Sequence, residues 1–115
     1  MEEQELLFVN SQRHAGTWLK SSVHLGVGVF ETMRAMRGAR KDDGLAILIA
    51  GFEEHIDRLY QGSAAVQLNA PDRDMLVNTC KEILSAFDWK AHSDAIMRIV
   101  VLTDDWLVQL SPWTA

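Results

Sequence analysis

Two arginines are the residues of this sequence best suited to hold an anionic group. Arg58 lies in a segment whose apolar residues recur at three- and four-residue steps, which predicts a helix, and it falls away from the apolar stripe. Arg98 is the only charged residue between Ile96 and Leu102, in a predicted strand that is apolar on both faces. A planar guanidinium binds a carboxylate or a phosphate through two parallel hydrogen bonds, so both residues suit an anionic small molecule.

Each arginine also has an ordinary structural interpretation. Arg58 could be a solvated residue that pairs with Glu54, four positions earlier on the same helix. Arg98 could lie on an edge strand and reach water, or it could point into a pocket that receives an acid group, because a buried guanidinium without an anionic partner is costly. The sequence pattern leaves these alternatives open for both residues.

Three further patterns are explained by structural roles, and not by catalysis or ligand binding. Gly26 and Gly28 lack the third glycine and the following helix of a dinucleotide-binding motif, and they indicate a turn or bulge where backbones approach closely. His55 follows two glutamates, but consecutive helical residues point in different directions, so no metal site is expected. Cys80, the single cysteine, lies on an apolar helical stripe and is predicted to be a buried structural thiol.

Strands and helices at definite places must position these residues. Short apolar runs predict strands at residues 6–10, 29–37, 45–50, 96–103 and 106–110, with turns at 10–16 and 38–44. The run at 45–50 is continuously apolar, which is typical of a strand buried on both faces. Helical spacing predicts one helix over 52–66 and another that begins at Pro71 and Asp72. This order predicts an α+β domain, with a mostly antiparallel sheet covered on one face by two helices.

The composition suits one globular domain. The chain has 115 residues, 48% of them hydrophobic, which is enough for a core. Its formal net charge of -5 and the lack of a basic stripe argue against a nucleic-acid partner. No apolar run approaches the roughly 20 residues that a membrane span needs, and the acidic start of the sequence does not resemble a targeting signal. A cytoplasmic protein with neither nucleic acid nor membrane as a partner is therefore predicted.

Three segments, in order, resemble segments of one enzyme family. They are residues 26–34 (GVGVFETMR), 53–64 (EEHIDRLYQGSA) and 97–100 (MRIV). The family is that of the class IV aminotransferases, the fold type IV pyridoxal-phosphate enzymes, which include branched-chain and D-amino acid aminotransferases and aminodeoxychorismate lyase. The resemblance extends from Leu7 to Pro112 and implies the N-terminal domain of the D-amino acid aminotransferase-like fold.

The resemblance implies roles for three side chains. Arg58 falls on the arginine that contacts the phosphate of pyridoxal 5'-phosphate in this family, so it would line a cleft that faces a second domain. Phe30 falls where the family places an aromatic side chain near the substrate, and Arg98 falls near positions that shape the carboxylate end of the substrate pocket. Glu31 and Arg34 follow Phe30 on the same strand. The implied reaction transfers an amino group between an amino acid and a 2-oxo acid, in a homodimer.

The catalytic lysine of the family has no counterpart among the lysines of this sequence. The family's Schiff-base lysine belongs to a C-terminal domain, and Lys20, Lys41, Lys81 and Lys90 do not match it. We therefore expect residues 1–115 to be a single N-terminal domain without that lysine, inactive as a transaminase by itself. Two alternatives stay open: a free-standing, non-catalytic binding or interaction remnant of the fold, and a fragment of an aminodeoxychorismate lyase-type enzyme.

Overall fold

One sheet and two helices form the part of the chain that the computed structural model describes, residues 5–14, 28–38 and 46–113. The elements are, in chain order, β1 (Leu6–Val9), β2 (Gln12–His14), β3 (Gly28–Gly38), β4 (Ala46–Ile49), α1 (Phe52–Ala65), α2 (Arg73–Ala86), β5 (Asp94–Leu102) and β6 (Trp106–Pro112). The strand order is β2-β1-β6-β5-β3-β4, and each neighbouring pair is antiparallel. The predicted α+β architecture is confirmed.

The main core lies between the helices and the sheet face that they cover. Apolar side chains at helical spacing on α1 and α2 meet alternate residues of the central strands. Its aromatic members are Phe8, Phe87 and Trp89, and its aliphatic and thioether members with less than 2% exposure include Ile56, Leu59, Leu76, Ile83, Met97, Ile99, Val101, Val108 and Leu110. On the opposite side of the sheet, called the second face below, Leu7, Val100 and Leu107 form a smaller buried cluster.

Local residues explain where the helices begin. α1 follows Gly51, whose φ of 69° lies in the left-handed region that glycine adopts without strain. α2 follows Asp72, as predicted, and the Asp72 carboxylate accepts a hydrogen bond from the Met75 amide at 3.2 Å. The apolar stripe of α1 ends earlier than predicted, because Val66 follows the last helical residue and is 48% exposed. Neither helix is long and apolar enough to cross a membrane.

The strand predicted at 45–50 is present as β4, but the prediction that it is buried on both faces is wrong. β4 is the last strand of the described sheet and pairs with β3. Ile47 and Ile49 pack against the main core, whereas Leu48 points to the second face and is 53% exposed. A continuous apolar run therefore occurs here on an edge strand with one covered face.

Two other segments differ from, or extend beyond, what the sequence predicted. The turn expected at residues 10–16 is confirmed at Asn10 and Ser11, which have positive φ, but it leads into β2, a short polar strand that apolar patterning does not reveal. The loop predicted at 38–44 and Gly26 fall largely or wholly outside the described residues. Gly28 shows the predicted close approach of backbones, because a Cβ there would lie 3.2 Å from the Val101 carbonyl oxygen, but it lies in β3 opposite Leu102 and not in a turn or bulge.

Candidate anion-binding site

The close packing of α1 on β3 brings Arg58 near an acidic residue of that strand. A Cβ added at Gly62 of α1 would lie 3.0 Å from Val29 Cγ1, so the glycine permits a short distance between helix and strand. Val29 and Met33 of β3 both pack in the core beneath the helices. Because side chains alternate along a strand, Glu31 lies between them on the same face, under the first turns of α1.

Glu31 is the partner of Arg58. The Arg58 Nη2 donates to Glu31 Oε1 at 2.8 Å, and Nε donates to Oε2 at 3.3 Å, so the guanidinium engages the carboxylate along one edge. His55, one helical turn before Arg58, places its Nδ1 2.7 Å from the same Oε1. The pairing of Arg58 with Glu54, which the helical spacing allowed, is not the one formed.

Charge and hydrogen-bonding rules fix the tautomer of His55. An ionised carboxylate only accepts hydrogen bonds, so the 2.7 Å contact requires a hydrogen on the Nδ1 of His55 that is donated to Glu31. The 3.1 Å contact between Arg58 Nη2 and the same Nδ1 is then a contact of two donors that share one acceptor. Glu31 thus accepts hydrogen bonds from two side chains of α1, those of His55 and Arg58.

The cluster favours the charged forms of both Glu31 and Arg58. Burial raises the pKa of Glu31, but the hydrogen bonds from Arg58 and His55 outweigh burial, and the net pKa of this carboxyl lies below its ordinary value of 4.5. The hydrogen bond to Glu31 raises the pKa of Arg58. An ion pair between Arg58 and Glu31 therefore joins α1 to β3 at neutral pH.

We expect Glu31→Gln to reduce the loss of stability that the chain suffers in acid. Because the pKa of Glu31 is lower in the folded chain than in the unfolded one, its contribution is present above the ordinary pKa and is lost as the pH falls through the lowered value. Urea unfolding followed by circular dichroism between neutral pH and about pH 3 would measure the slope. The control is Glu53→Gln, which removes an exposed carboxylate paired with Arg73. If the free energy of unfolding fell with pH equally in the two variants, the lowered pKa of Glu31 would be contradicted.

Arg58 keeps donors available for a further anion. Its side chain is 64% exposed, whereas that of Glu31 is 13% exposed. Glu31 occupies the edge formed by Nε and Nη2, and Nη1 donates to none of the described residues. The end of the guanidinium, made by Nη1 and the second hydrogen of Nη2, has the geometry that binds a phosphate or carboxylate through two hydrogen bonds. The arrangement can hold Glu31 and an external anion at the same time.

Phe30 and Arg98 lie on the second face, away from Arg58. Phe30 precedes Glu31 on β3, so strand alternation turns it to the opposite side, where it is 66% exposed. Arg98 lies on the same face of β5 and faces Thr32 in the register, while Val100 faces Phe30. Phe30 and Arg98 are therefore diagonal neighbours on adjacent strands. Within the described residues, β3 separates this pair from the Glu31–His55–Arg58 cluster.

The edge interpretation of Arg98 is wrong, because β5 lies between β3 and β6. The side chain is half-buried, and its Nη1 donates to Gln109 Oε1 at 3.3 Å. Arg34, also on the second face, donates to Asp94 Oδ1 from Nη2 at 2.7 Å and lies 4.1 Å from the centre of the Trp113 ring. Glu31, His55 and Gln109 are site residues whose contacts the sequence pattern did not predict.

Cys80 is buried in the main core, as predicted. Burial raises the pKa of its thiol from 9.0 to about 12. Among the described residues, no group of three His, Cys, Asp or Glu side chains is placed to hold a metal ion.

We expect Cys80 to react with a thiol reagent only after the chain unfolds, because the thiolate is the reactive form and burial suppresses it. The higher pKa in the folded chain also means that its stabilising contribution is complete below about pH 9 and declines as the pH rises towards 12. The reaction of Cys80 is measured with a disulfide-exchange reagent, whose released thiolate is followed by absorbance. The measurement is made with and without urea. Rapid stoichiometric modification of the folded chain would contradict it.

Comparison with known proteins identifies the fold of this chain. No protein-family model and no curated protein matches the chain. Solved structures do match, and the fold is shared with part of the branched-chain amino acid aminotransferases, as the resemblance implied.

Three solved structures illustrate the likeness. The Escherichia coli branched-chain amino acid aminotransferase matches with a TM-score of 0.70 and 18% identity over 96% of this chain. The Thermobaculum terrenum enzyme in its PLP form matches with a TM-score of 0.73 and 16% identity over 100% of this chain. The M4 mutant of the Thermobaculum terrenum enzyme matches with a TM-score of 0.71 and 18% identity over 99% of this chain. This chain covers only 40%, 42% and 40% of their respective lengths, and these identities establish the fold alone.

Proposed function

We propose that this chain is the N-terminal domain of a pyridoxal-phosphate-dependent class IV aminotransferase, in which Arg58 binds the cofactor phosphate. The observation that carries the proposal is the position of the Arg58 guanidinium, held by Glu31 along one edge and exposed at the other. The shared fold supports it, since one of the similar structures is described as a PLP form.

The described residues fit the phosphate of this cofactor. Arg58 supplies a permanent positive charge and parallel donors, and Glu31 and His55 hold its side chain in place. When bound, the cofactor acts as an electron sink for the bond at the substrate α-carbon. The amine that moves protons there is proposed to come from a lysine of a second domain. Neither Lys81 nor Lys90, the lysines of the described part, hydrogen-bonds to Glu31, His55 or Arg58.

We propose that the second face shapes the substrate end of the same active site, which would extend around the part of β3 that pairs, among the described residues, with β5 alone. Phe30 offers an exposed aromatic surface to an apolar side chain, and Arg98 offers a guanidinium to a carboxylate. Amino acids and 2-oxo acids both carry that carboxylate, so one guanidinium would serve both halves of a transamination. The complete protein is proposed to act as a homodimer.

Titration of the isolated chain with pyridoxine 5'-phosphate tests the phosphate assignment. This ester has neither the aldehyde nor the amine of the cofactor forms, so it cannot react with lysines. With 15N-labelled arginine, we expect the Nε–Hε signal of Arg58 to shift on addition of the ester and of inorganic phosphate, but not of pyridoxine. A saturating shift at Arg73 and none at Arg58 would overturn the proposal.

A further inference from the structure

Gln109 of β6 is a buried polar residue that connects three segments of the second face. Three polar or charged side chains are buried among the described residues: Ser63, Thr79 and Gln109. The hydroxyls of Ser63 and Thr79 donate to carbonyl oxygens of their own helices, at 2.7 and 2.9 Å. Gln109 is 1% exposed, and its side-chain bonds instead reach other parts of the sheet. Unlike the two hydroxyls, the Gln109 amide therefore does more than hydrogen-bond to the backbone of its own element.

The contacts of Gln109 fix the orientation of its amide. Its Oε1 accepts a hydrogen bond from Arg98 Nη1 at 3.3 Å, and its Nε2 donates to the Glu5 carboxylate. A guanidinium only donates and a carboxylate only accepts, so the two ends of the amide cannot be exchanged. Gln109 faces Arg98 in the β5–β6 register and Leu7 in the β1–β6 register, so it lies between the two.

Gln109 has apolar as well as charged neighbours on the second face. Leu7, Val100 and Leu107 form a buried apolar cluster on the same face. A buried amide is costly unless its hydrogen bonds are made, so an aliphatic side chain here would avoid that cost. The amide gives what an aliphatic side chain cannot, an acceptor aimed at Arg98 and a donor aimed at Glu5.

We propose that Gln109 is a positioning residue, which holds the Arg98 guanidinium on the second face in the orientation that receives a substrate carboxylate. The carboxylate part of this inference rests on the proposed function, whereas the positioning part concerns the ligand-free chain. Gln109 engages one hydrogen-bond donor of Arg98 through a neutral amide oxygen, so this contact itself places no negative charge beside the guanidinium.

The experiment compares wild type with Gln109→Leu and Gln109→Glu in the 115-residue chain with 15N-labelled arginine. The first readout is the order parameter of the Arg98 Nε–Hε bond, and the second is its shift on addition of acetate or 4-methyl-2-oxopentanoate. In Gln109→Leu we expect the order parameter to fall from roughly 0.8 to 0.6 or below, and carboxylate binding to weaken about tenfold. The control is Thr79→Val, which removes a buried hydroxyl from the helical side and leaves Arg98 unchanged.

The variant Gln109→Glu separates positioning from general stability. It is combined with Glu5→Gln, which supplies a donor in place of the Glu5 carboxylate that would otherwise face the new carboxylate. The carboxylate at position 109 still accepts from Arg98, so Arg98 stays ordered, but the negative charge now beside Arg98 competes with the external acid and weakens its binding about tenfold. An ordered Arg98 in the glutamate variant and a mobile one in the leucine variant would support the inference. A purely structural role for Gln109 would leave the order of Arg98 unchanged in both.

Two outcomes distinguish failure of this inference from failure of the proposed function. An unchanged Arg98 order parameter in Gln109→Leu overturns the positioning role. Loss of order in Gln109→Leu, with no response of wild-type Arg98 to either acid, supports the positioning role and removes the carboxylate assignment of Arg98. If the leucine variant does not fold, Gln109→Met, which is closer in length to glutamine, is measured by the same criteria.

Discussion

Replacing Arg58 with alanine is expected to raise the dissociation constant for pyridoxine 5'-phosphate roughly ten- to a hundredfold. The substitution removes the exposed end of the guanidinium, which we propose as the phosphate ligand, and leaves Glu31 without its charged partner. The remaining carboxylate would then repel a dianionic ester, so both consequences act in the same direction. Titration by isothermal calorimetry or by the arginine and amide NMR signals measures the constant.

Arg73→Ala is the matched control for Arg58→Ala. Arg73 is also a partly exposed arginine near α1, and it pairs with Glu53 and Asp57 at 3.1 and 2.7 Å. Both variants change the net charge by the same amount, so a general electrostatic effect would weaken binding in both. The site assignment predicts a large change for Arg58→Ala and a change of less than about twofold for Arg73→Ala. Equal affinities of wild type and Arg58→Ala would refute the phosphate role.

Replacing Trp89 with alanine is expected to lower the free energy of unfolding by about 3–5 kcal/mol, a large part of the total stability of a domain this size. Trp89 is 4% exposed and packs edge-on against Phe87, with ring centroids 4.7 Å apart. Its Nε1 donates to the Leu84 carbonyl at 2.8 Å and so satisfies a backbone acceptor in the last turn of α2. Its own carbonyl accepts a hydrogen bond from Arg37.

Trp113→Ala provides the comparison for Trp89→Ala. Trp113 follows β6, is 40% exposed and contacts Arg34 through its ring. Loss of an exposed cation–π contact is expected to cost less than about 1 kcal/mol. Urea unfolding followed by far-ultraviolet circular dichroism gives both free energies without depending on tryptophan fluorescence. If the two variants lost equal stability, Trp89 would not be the core residue that its burial indicates.

Much of the fold was predictable because the hydrophobic period changes along the chain. The helical spacing around Ile56 and Leu59 and the near-continuous apolar run of β5 correspond to a helix and to a central strand in the structure. The position of a strand within the sheet was harder to predict from the sequence. β4 and β5 are both apolar runs, yet one is an edge strand and the other is internal, since strand order depends on pairing between distant segments. The polar strand β2 has no apolar pattern to reveal it.

The candidate site shows the same division between local and long-range information. Helical geometry placed Arg58 off the apolar stripe, but an isolated helix offers only its own residues as partners, so Glu54 was the natural candidate. The real partner, Glu31, comes from β3 and becomes available only when α1 packs on that strand. The alternatives for Arg98 were decided by the neighbours of β5, and its contact with Gln109 depends on the register between β5 and β6.

The ion pair between Glu31 and Arg58 has a thermodynamic consequence for any ligand. An unrestrained arginine loses considerable rotational freedom when it binds, and that loss subtracts from affinity. Here folding has already restricted the Arg58 side chain through its bonds to a mostly covered carboxylate. The anion that we propose Arg58 binds would therefore meet a guanidinium already restricted by Glu31, and part of the entropy of ordering this side chain would be lost before the two come together.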